Sequence, residues 1–456
     1  MARPDPKRRE AWPLYWDRRV ETMPWDELVR LAEKKLRYIV SFAYHNSRFY
    51  HRHLDEAGVS PGDIRGISDL PKIPFIVKDD VRHKIQTEPI PYGLHPGLPD
   101  SYHYKIATST GTTGRPTYNT WSPGEEAYAR DIIARNFWAM MMRPGDVYLN
   151  AWRMDFNYAW GVRFYKTAWM MGMKVVPHGS TPIATMPQLT RRTIEELRPT
   201  VVGGTPSGLY HLARMMVEEW GIEPPFQVVH TAGEPLVREV RKKLQDIYNT
   251  EYVFDFFGFS EVPFTEMSED PWFEGDHWWF DAAVFEILDP DTKEPMGPGE
   301  RGELVVTSLI NHTLPIIRFN VEDIAEYRLG PGGCGRTHPM FPYGVLGREE
   351  WLVKVKGLDG RFHYVLPWDV EAVVREFPEI KDYQIIKKTR LEHDKLYVRL
   401  EPKQEPRDPD EWARRFEEEL SKRLGVPVKV EYAPPGTIQP PVWKKTYVVH
   451  EWKARK

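Results

Sequence analysis

Short runs of β-branched residues recur along the middle of the chain, and each is separated from the next by a segment long enough for a helix. They fall at residues 147–149, 175–176, 201–202 and 228–229. Strands that alternate with helices form parallel sheets, because the helix returns the chain across one face of the sheet before the next strand begins. We therefore predict an α/β fold with a doubly wound sheet covered by helices on both faces.

The pattern changes in the last third of the chain. From residue 285 onward, β-rich segments separated by Pro- and Gly-containing turns predict a β subdomain. After Gly347, short strands and an amphipathic helix over 408–424 predict a small α+β domain. The predicted division is an N-terminal domain of residues 1–346 and a C-terminal domain of residues 347–456.

Composition excludes several classes of protein. With 456 residues, 41% of them hydrophobic, the chain can bury a large core and is too long for one ordinary domain. A formal net charge of -4 with interspersed charges argues against nucleic-acid binding. Residues 1–19 contain no apolar signal segment, and the most hydrophobic stretch, 168–176, is short and contains Lys174, so we expect a soluble cytoplasmic protein without a membrane partner.

A loop dense in hydroxyl groups and glycines precedes one of the predicted helices. Its residues are Thr108, Ser109, Thr110, Gly111, Thr112, Thr113 and Gly114. Glycine lets the backbone approach a ligand closely, so that N–H groups converge on phosphate oxygens while hydroxyls add donors. The capping box at residues 122–125 shows that the loop leads to a helix. We predict a phosphate-binding loop, with a polar surface linker as the alternative. It is not a Walker loop, because Arg115 and Pro116 follow its last glycine.

Further motifs follow this loop in a fixed order. They are Ala232-Gly233-Glu234-Pro235, Phe257-Gly258-Phe259-Ser260-Glu261, residues 315–323 and Gly347-Arg348-Glu349-Glu350. With the loop and the opening helices over residues 21–80, they make nearly the whole chain similar to the phenylacetate-CoA ligases, a family of AMP-forming acyl- and aryl-CoA synthetases. The resemblance implies a large N-terminal domain with doubly wound sheets and a β subdomain, followed by a small mobile α+β C-terminal domain.

The resemblance also implies a reaction. An aromatic, phenylacetate-like carboxylic acid would be adenylated with ATP and Mg²⁺, and its acyl group would pass to coenzyme A. Two alternatives stay open: an adenylating ligase with an amine, carrier protein or cofactor as acceptor, and a non-catalytic nucleotide-binding homologue. A serine hydrolase is excluded, because residues 258–262 lack the second glycine of a nucleophile elbow. The sequence leaves the oligomeric state open, a homodimer included.

The family motifs assign a nucleotide site to this chain. The ATP-binding residues so implied are the seven of the loop together with Gly233, Glu234, Pro235, Phe257, Gly258, Ser260, Asp323 and Arg348. Phe257, which stands where the family usually has tyrosine, would stack on adenine, with packing in the core as the alternative. A carboxylate can accept hydrogen bonds from both ribose hydroxyls, which favours Asp323, with the adjacent Glu322 as the alternative. The neighbours of Asp323 depart from the family's Arg-Thr-Gly-Asp.

The catalytic groups implied by the resemblance are Lys444, Glu261 and Thr113. Glu261 would bind Mg²⁺, since hard cations take carboxylate oxygens. The adenylation lysine is assigned to Lys444 by its spacing to the following residues, with Lys445 as the alternative. Glu350 matches the family's hinge acid.

An aromatic-rich segment follows one predicted core strand, where an α/β sheet opens its ligand crevice. Tyr158 and Trp160 within it are candidates for the acyl pocket, and core packing is the equally weighted alternative.

Some members of this subfamily carry a structural zinc. Here His277 and Cys334 remain, but Gly332 stands where a second cysteine would be, so we expect no zinc site and no metal role for His277. With no evident base beside it, Cys334 is also a poor candidate for a nucleophile.

Overall fold

The computed structural model describes residues 9, 11–81, 105–108, 118–154, 159–234, 236, 238–260, 262–438 and 447–453. The chain divides into two compact units, Met1–Val321 with Glu326–Gly344, and Glu322–Ala325 with Val345–Lys456.

Strands and helices are numbered along the chain. The strands up to residue 348 are β1 (Lys105–Thr108), β2 (Tyr118–Trp121), β3 (Val147–Asn150), β4 (Lys174–Val176), β5 (Val201–Gly204), β6 (Val228–Thr231), β7 (Val253–Phe257), β8 (Met267–Ser268), β9 (Asp276–His277), β10 (Ala283–Leu288), β11 (Gly302–Ser308), β12 (Phe319–Ala325), β13 (Met340–Phe341) and β14 (Val345–Arg348). The later strands are β15 (Val353–Lys356), β16 (Phe362–Val365), β17 (Ile380–Lys387), β18 (Glu392–His393), β19 (Leu396–Pro402), β20 (Val428–Tyr432) and β21 (Val448–His450). The α-helices are α1 (Arg18–Glu21), α2 (Trp25–Asn46), α3 (Arg48–Glu56), α4 (Lys78–Asp80), α5 (Pro123–Ala139), α6 (Ala159–Met170), α7 (Thr181–Thr185), α8 (Pro187–Leu197), α9 (Pro206–Arg214), α10 (Arg238–Tyr248), α11 (Pro367–Val374) and α12 (Pro409–Leu424). Short 3-10 helices span Pro61–Asp63, Ile67–Lys72 and Glu349–Trp351, and a π-helix spans Met215–Glu219.

The first unit is built on an eight-stranded sheet in the order β13-β9-β8-β7-β6-β5-β3-β4. The strands from β7 to β4 pair in parallel, whereas β8, β9 and β13 add an antiparallel edge. The four predicted runs are the four strands β3 to β6. The fold class predicted from their alternation with helices is confirmed.

Neighbouring residues of these strands belong to two separate hydrophobic cores. Tyr148, Val201, Val228 and Phe254 pack in a core with residues of α5 and α6, and the adjacent Leu149, Val202, Val229 and Val253 pack in another with residues of α8, α9 and α10. Side chains alternate between the two faces of a strand, so the two cores lie on opposite faces of the sheet. Both faces are therefore covered, as in a doubly wound fold.

The capping box predicted at residues 122–125 forms in the structure. Ser122 Oγ accepts from the Glu125 N–H at 3.2 Å, and the Glu125 carboxylate accepts from the Ser122 N–H at 2.6 Å, which starts α5 directly after β2. Thr205 caps α9 through its side chain alone, which accepts from the Gly208 N–H at 3.2 Å.

The second unit has its own core. Its larger sheet has the order β20-β19-β17-β21, and α12 packs on it through Phe416 and Leu420, both fully buried. The helix predicted over 408–424 is α12, which Asp408 caps and Gly425 ends at φ 68°. Across both units, none of the described helices is long and apolar enough to cross a membrane.

Candidate active site

Three of the predicted site residues meet at one narrow pocket in the first unit. Thr108 ends β1, Trp160 lies in the first turn of α6, and Ser260 follows the carboxyl end of β7. The pocket is lined by Ala107, Thr108, Asn119, Trp121, Trp160, Arg163, Phe259, Ser260 and Pro263. Motifs about 150 residues apart therefore converge on a single site, at the sheet edge where α/β proteins bind ligands.

Strands β1 and β2 hold the two ends of the hydroxyl-rich loop. They pair antiparallel with Thr108 opposite Tyr118, and Thr120 and Trp121 are buried. The loop residues Ser109 to Gly114 lie outside the described part of the chain. The paired strands nevertheless place the start of the loop, Thr108, on the wall of the pocket.

The motif after β7 is packed closely against α6. A Cβ at Gly258 would lie 3.1 Å from Trp160 Cη2 and 3.4 Å from Glu266 Cγ, so a larger residue would push the indole aside. Trp160 Nε1 donates to Ser260 Oγ at 3.4 Å, and Asn119 Nδ2 donates to the Ser260 carbonyl. These contacts fix the backbone immediately before Glu261.

A buried arginine that the sequence analysis missed also lines the pocket. Arg163 is 1% exposed, and its Nη1 lies 2.6 Å from Glu266 Oε1. Its guanidinium carbon lies 4.9 Å from the centroid of the Trp121 ring and 5.6 Å from that of Trp160. Arg163 follows Trp160 by three residues on α6 and so lies on the same face of the helix, one turn further along. This spacing could have indicated that both residues line the same site.

The remaining described residues of the nucleotide motifs in the first unit lie at the end of β7 and just after β6. Phe257 is half-buried, and its ring lies edge-on to Phe259 with centroids 4.9 Å apart. Gly233 has a φ of 81°, a conformation that favours glycine. Glu234 accepts from the Ser207 N–H at 3.0 Å and from Ser207 Oγ at 2.7 Å, so in this structure its carboxylate secures the first turn of α9.

Asp323 and Arg348, predicted for the ribose region, lie together in the second unit. They are opposite each other on the antiparallel strands β12 and β14, with Arg348 Nη1 2.9 Å from Asp323 Oδ1. The carboxylate is 9% exposed and the guanidinium 38%. Arg348 therefore orients the carboxylate that was predicted to accept the ribose hydroxyls.

Glu350 lies in the 3-10 helix that follows β14. Burial raises the pKa of its carboxyl, but the Lys453 ammonium at 2.9 Å, together with the charges of His450 and Arg348, lowers the pKa overall. The backbone here is held by Lys387, whose Nζ donates to the Glu350 carbonyl at 2.8 Å and to the Leu352 carbonyl at 2.6 Å. Burial lowers the Lys387 pKa to about 8.

Several predicted site residues lie outside the described residues. They are Ser109, Thr110, Gly111, Thr112, Thr113, Gly114, Tyr158, Pro235, Glu261, Lys444 and Lys445. Their assigned roles stay predictions.

Cys334 has a neighbour that the sequence analysis did not find. His277 Nε2 lies 3.4 Å from Cys334 Sγ and 2.9 Å from Asp270 Oδ2, which corrects the expectation that no base lies beside the thiol. The ligand atoms of these three buried residues lie within 4.8 Å of one another. A tetrahedral zinc site needs a fourth, and Arg336 Nη1, 3.2 Å from Asp270 Oδ2, already supplies a positive charge to this carboxylate. These three donors are one fewer than the four protein ligands of a structural zinc site, so we assign no metal to them, and the expectation of no zinc site stays a prediction.

A large doubly wound unit with a pocket at its strand ends, followed by a smaller α+β unit, is the architecture of the adenylate-forming enzymes. Residues 71–310 match the family model of the AMP-binding enzymes, and residues 363–451 match that of the AMP-binding enzyme C-terminal domain. The chain belongs to the AMP-binding enzyme family. The family resemblance read from the motifs is thereby confirmed.

Individual relatives agree with this assignment. The chain is 30% identical to a phenylacetate-coenzyme A ligase of Thermus thermophilus, over 91% of this chain and 95% of the relative. It is 28% identical to a phenylacetate-coenzyme A ligase of Pseudomonas putida, over 92% and 93% of the two chains. Its fold is similar to a crystal structure of 2-hydroxyisobutyryl-CoA ligase in the postadenylation state, with a TM-score of 0.80, 24% identity and coverage of 98% and 94%.

Proposed function

We propose that this protein is an AMP-forming ligase that adenylates an aromatic, phenylacetate-like carboxylic acid with ATP and transfers the acyl group to coenzyme A. The observation that carries the proposal is the convergence of Thr108, Trp160 and Ser260 on one pocket. It joins the start of the phosphate loop, an aromatic wall and the segment that ends at Glu261. The phenylacetate-coenzyme A ligases among the relatives support the same substrate class.

The first half-reaction needs positive potential, since a carboxylate has to approach a triphosphate. One carboxylate oxygen attacks the α-phosphorus, the bond to the β-phosphate oxygen breaks, and pyrophosphate leaves. Backbone N–H groups and hydroxyls of the loop, Thr113 included, would bind phosphate oxygens, and Lys444 would stabilise charge at the α-phosphate. Mg²⁺, bound through Glu261, would supply further positive charge. Asp323, oriented by Arg348, would accept the ribose hydroxyls, and Phe257 would contact adenine.

The second half-reaction replaces AMP by sulfur. The thiolate of coenzyme A attacks the acyl carbon, the bond to the AMP oxygen breaks, and AMP leaves. A lysine placed for the first step would obstruct the incoming thiol, so we propose that the C-terminal domain, residues 347–456, pivots between the two steps near Glu350. Closures of this kind need only a few backbone torsions to change.

Acid-dependent pyrophosphate release tests the proposal. The protein is incubated with ATP, Mg²⁺ and one acid at a time from a panel of aromatic and aliphatic monocarboxylates, with and without coenzyme A. Pyrophosphate release with the aromatic acids, together with an acyl-CoA product, is expected. Pyrophosphate without a thioester would assign another acceptor, and its absence with every acid would indicate a non-catalytic homologue.

Two lysine variants place the catalytic group. Lys444→Ala should slow adenylate formation about a hundredfold or more, the effect of removing one preorganised charge. Thioester formation from a supplied acyl-adenylate should change much less. Lys445→Ala is the matched control, and the same pattern in that variant would move the assignment by one residue. Glu261→Gln should lose most of the pyrophosphate release while keeping the wild-type melting temperature.

A further inference from the structure

Among the buried arginines of the described chain, Arg163 leaves two donor nitrogens without a partner, and Arg143 leaves only its Nε unpaired. Nη1 of Arg163 is taken by Glu266, but neither Nε nor Nη2 donates a hydrogen bond to any described residue, although the side chain is 1% exposed and lines the pocket. Buried N–H groups are normally paired, because an unpaired donor loses its water without recovering a partner. Both nitrogens lie on the same edge of the guanidinium, where their N–H bonds run parallel.

In two other buried arginines, the edge formed by Nε and Nη2 binds a carboxylate. Arg135 gives Nη1 to Asp281 at 2.9 Å, and its Nε and Nη2 both bind one carboxylate oxygen of Asp131, at 3.1 and 2.7 Å. Arg318 gives Nε and Nη2 to the Glu286 carboxylate, each at 3.0 Å. A guanidinium shared between two carboxylates is therefore already used in this fold, whereas Arg163, which lines the pocket, binds only one carboxylate, that of Glu266.

We propose that Arg163 binds a second carboxylate of the acid substrate, remote from the carboxylate that is adenylated. This inference rests on the proposed function and narrows its substrate to an aromatic acid carrying a carboxylate on the ring. The rings of Trp121 and Trp160, which flank the guanidinium, would contact the aromatic ring of the substrate. The planar carboxylate would take the parallel N–H groups of Nε and Nη2.

The carboxylate that is adenylated is a less suitable ligand for Nε and Nη2 of Arg163 than a remote carboxylate. It loses its negative charge when the adenylate forms, so an arginine bound to it would stabilise the ground state more than the transition state. A remote carboxylate keeps its charge through both half-reactions. A ring hydroxyl offers a single oxygen to two parallel donors and would pair the edge less completely.

The acid selectivity of the wild-type enzyme tests the inference. Phenylacetate, 4-hydroxyphenylacetate, 3-carboxyphenylacetate and 4-carboxyphenylacetate are compared by kcat/KM in the pyrophosphate assay. We expect at least one carboxylated acid to exceed phenylacetate tenfold or more, because a site built for a polar group discriminates against analogues that lack it. A preference for phenylacetate or its hydroxyl derivative would overturn the inference, whereas the absence of turnover with every acid would reject the proposed function itself.

Variants of Arg163 separate recognition from packing. Arg163→Met should reduce kcat/KM for the carboxylated acid at least a hundredfold more than for phenylacetate, mainly through KM. Arg163→Lys, which keeps the charge but not the parallel donors, should recover only part of the selectivity. Lys166→Met on the same helix is the control for losing a cation and should keep the wild-type ratio. Equal loss for all acids in Arg163→Met would mean that Arg163 only packs, and if that variant does not fold, the wild-type selectivity decides.

Discussion

Arg348 and Asp323 face each other across two antiparallel strands, with Nη1 2.9 Å from Oδ1. A partly exposed pair of this kind should show a coupling of about 0.5–1 kcal/mol in a double-mutant cycle on unfolding. Because Asp323 is proposed to bind ribose, Asp323→Asn should also raise KM for ATP about tenfold, a loss of roughly 1.4 kcal/mol. ATP titrations of the two single variants and the double variant measure this effect. An unchanged KM for ATP in Asp323→Asn would mean that the ion pair of Asp323 and Arg348 has only a structural role.

Gly203 in β5 passes directly under the His230 imidazole. A Cβ at Gly203 would lie 1.9 Å from His230 Nε2, and His230 is completely buried. Gly203→Ala should destabilise the first unit by about 1–3 kcal/mol or more, as overpacking a tight core does. Chemical denaturation monitored by tryptophan fluorescence measures the change. Gly124→Ala is the control: its Cβ would meet only Ser122 Oγ at 4.0 Å, and alanine within the first turn of α5 should stabilise by a few tenths to about 1 kcal/mol.

His338 should make the protein sensitive to acid. Burial lowers its pKa from 6.5 to about 4, and the neutral ring fits its site: Nδ1 accepts from the Phe280 N–H at 3.0 Å, and Nε2 lies 3.0 Å from the Val20 carbonyl. Between these two pKa values, His338 binds more protons in the unfolded state than in the folded state. Its contribution to the free energy of unfolding is therefore fully present above about pH 6.5 and is lost as the pH drops toward 4.

Urea denaturation at several pH values between 4.5 and 7.5 measures this slope. His338→Gln should be less stable at neutral pH but show a shallower decline on acidification. His51→Gln, at an exposed position, controls for removal of a histidine. A slope that His338→Gln leaves unchanged would contradict the assignment.

The single cysteine should be unreactive in the native protein. Burial, reinforced by the Asp270 carboxylate, raises the pKa of the Cys334 thiol to about 12, and the side chain is 2% exposed. The thiolate is the nucleophile, so iodoacetamide at pH 8 should label the folded protein at least about a hundredfold more slowly than the protein in guanidinium chloride. Intact mass spectrometry counts one adduct unambiguously. Rapid stoichiometric labelling of the folded protein would contradict the buried position.

Local sequence signals predicted the fold well because they act over a few residues. The four short strands, the capping box at Ser122 and the helix over 408–424 each depend on neighbours in the chain, and all were confirmed. Arg163 was not predicted, because its ion pair with Glu266 joins residues 103 positions apart along the chain. The surroundings of Cys334 were not predicted for the same reason, since His277 is 57 residues away.

The two carboxylates read from the motifs illustrate the same limit. Asp323 was identified from its place in a family motif, but its ion pair with Arg348 follows from the register of two strands. Glu234 was assigned to the nucleotide, yet its carboxylate binds Ser207 at the start of α9, a contact that spacing along the chain does not reveal.

The Lys387 ammonium also bears on how the proposed pivot would work. By bonding the carbonyls of Glu350 and Leu352, it ties the residues after Glu349 to the end of β17. A segment bonded in this way moves together with β17 and the second unit, to which β17 belongs. The backbone torsions that change during a rotation would then lie on the N-terminal side of Glu350. Glu350 would be the first residue that moves with the rotating domain, and the hinge itself would precede it.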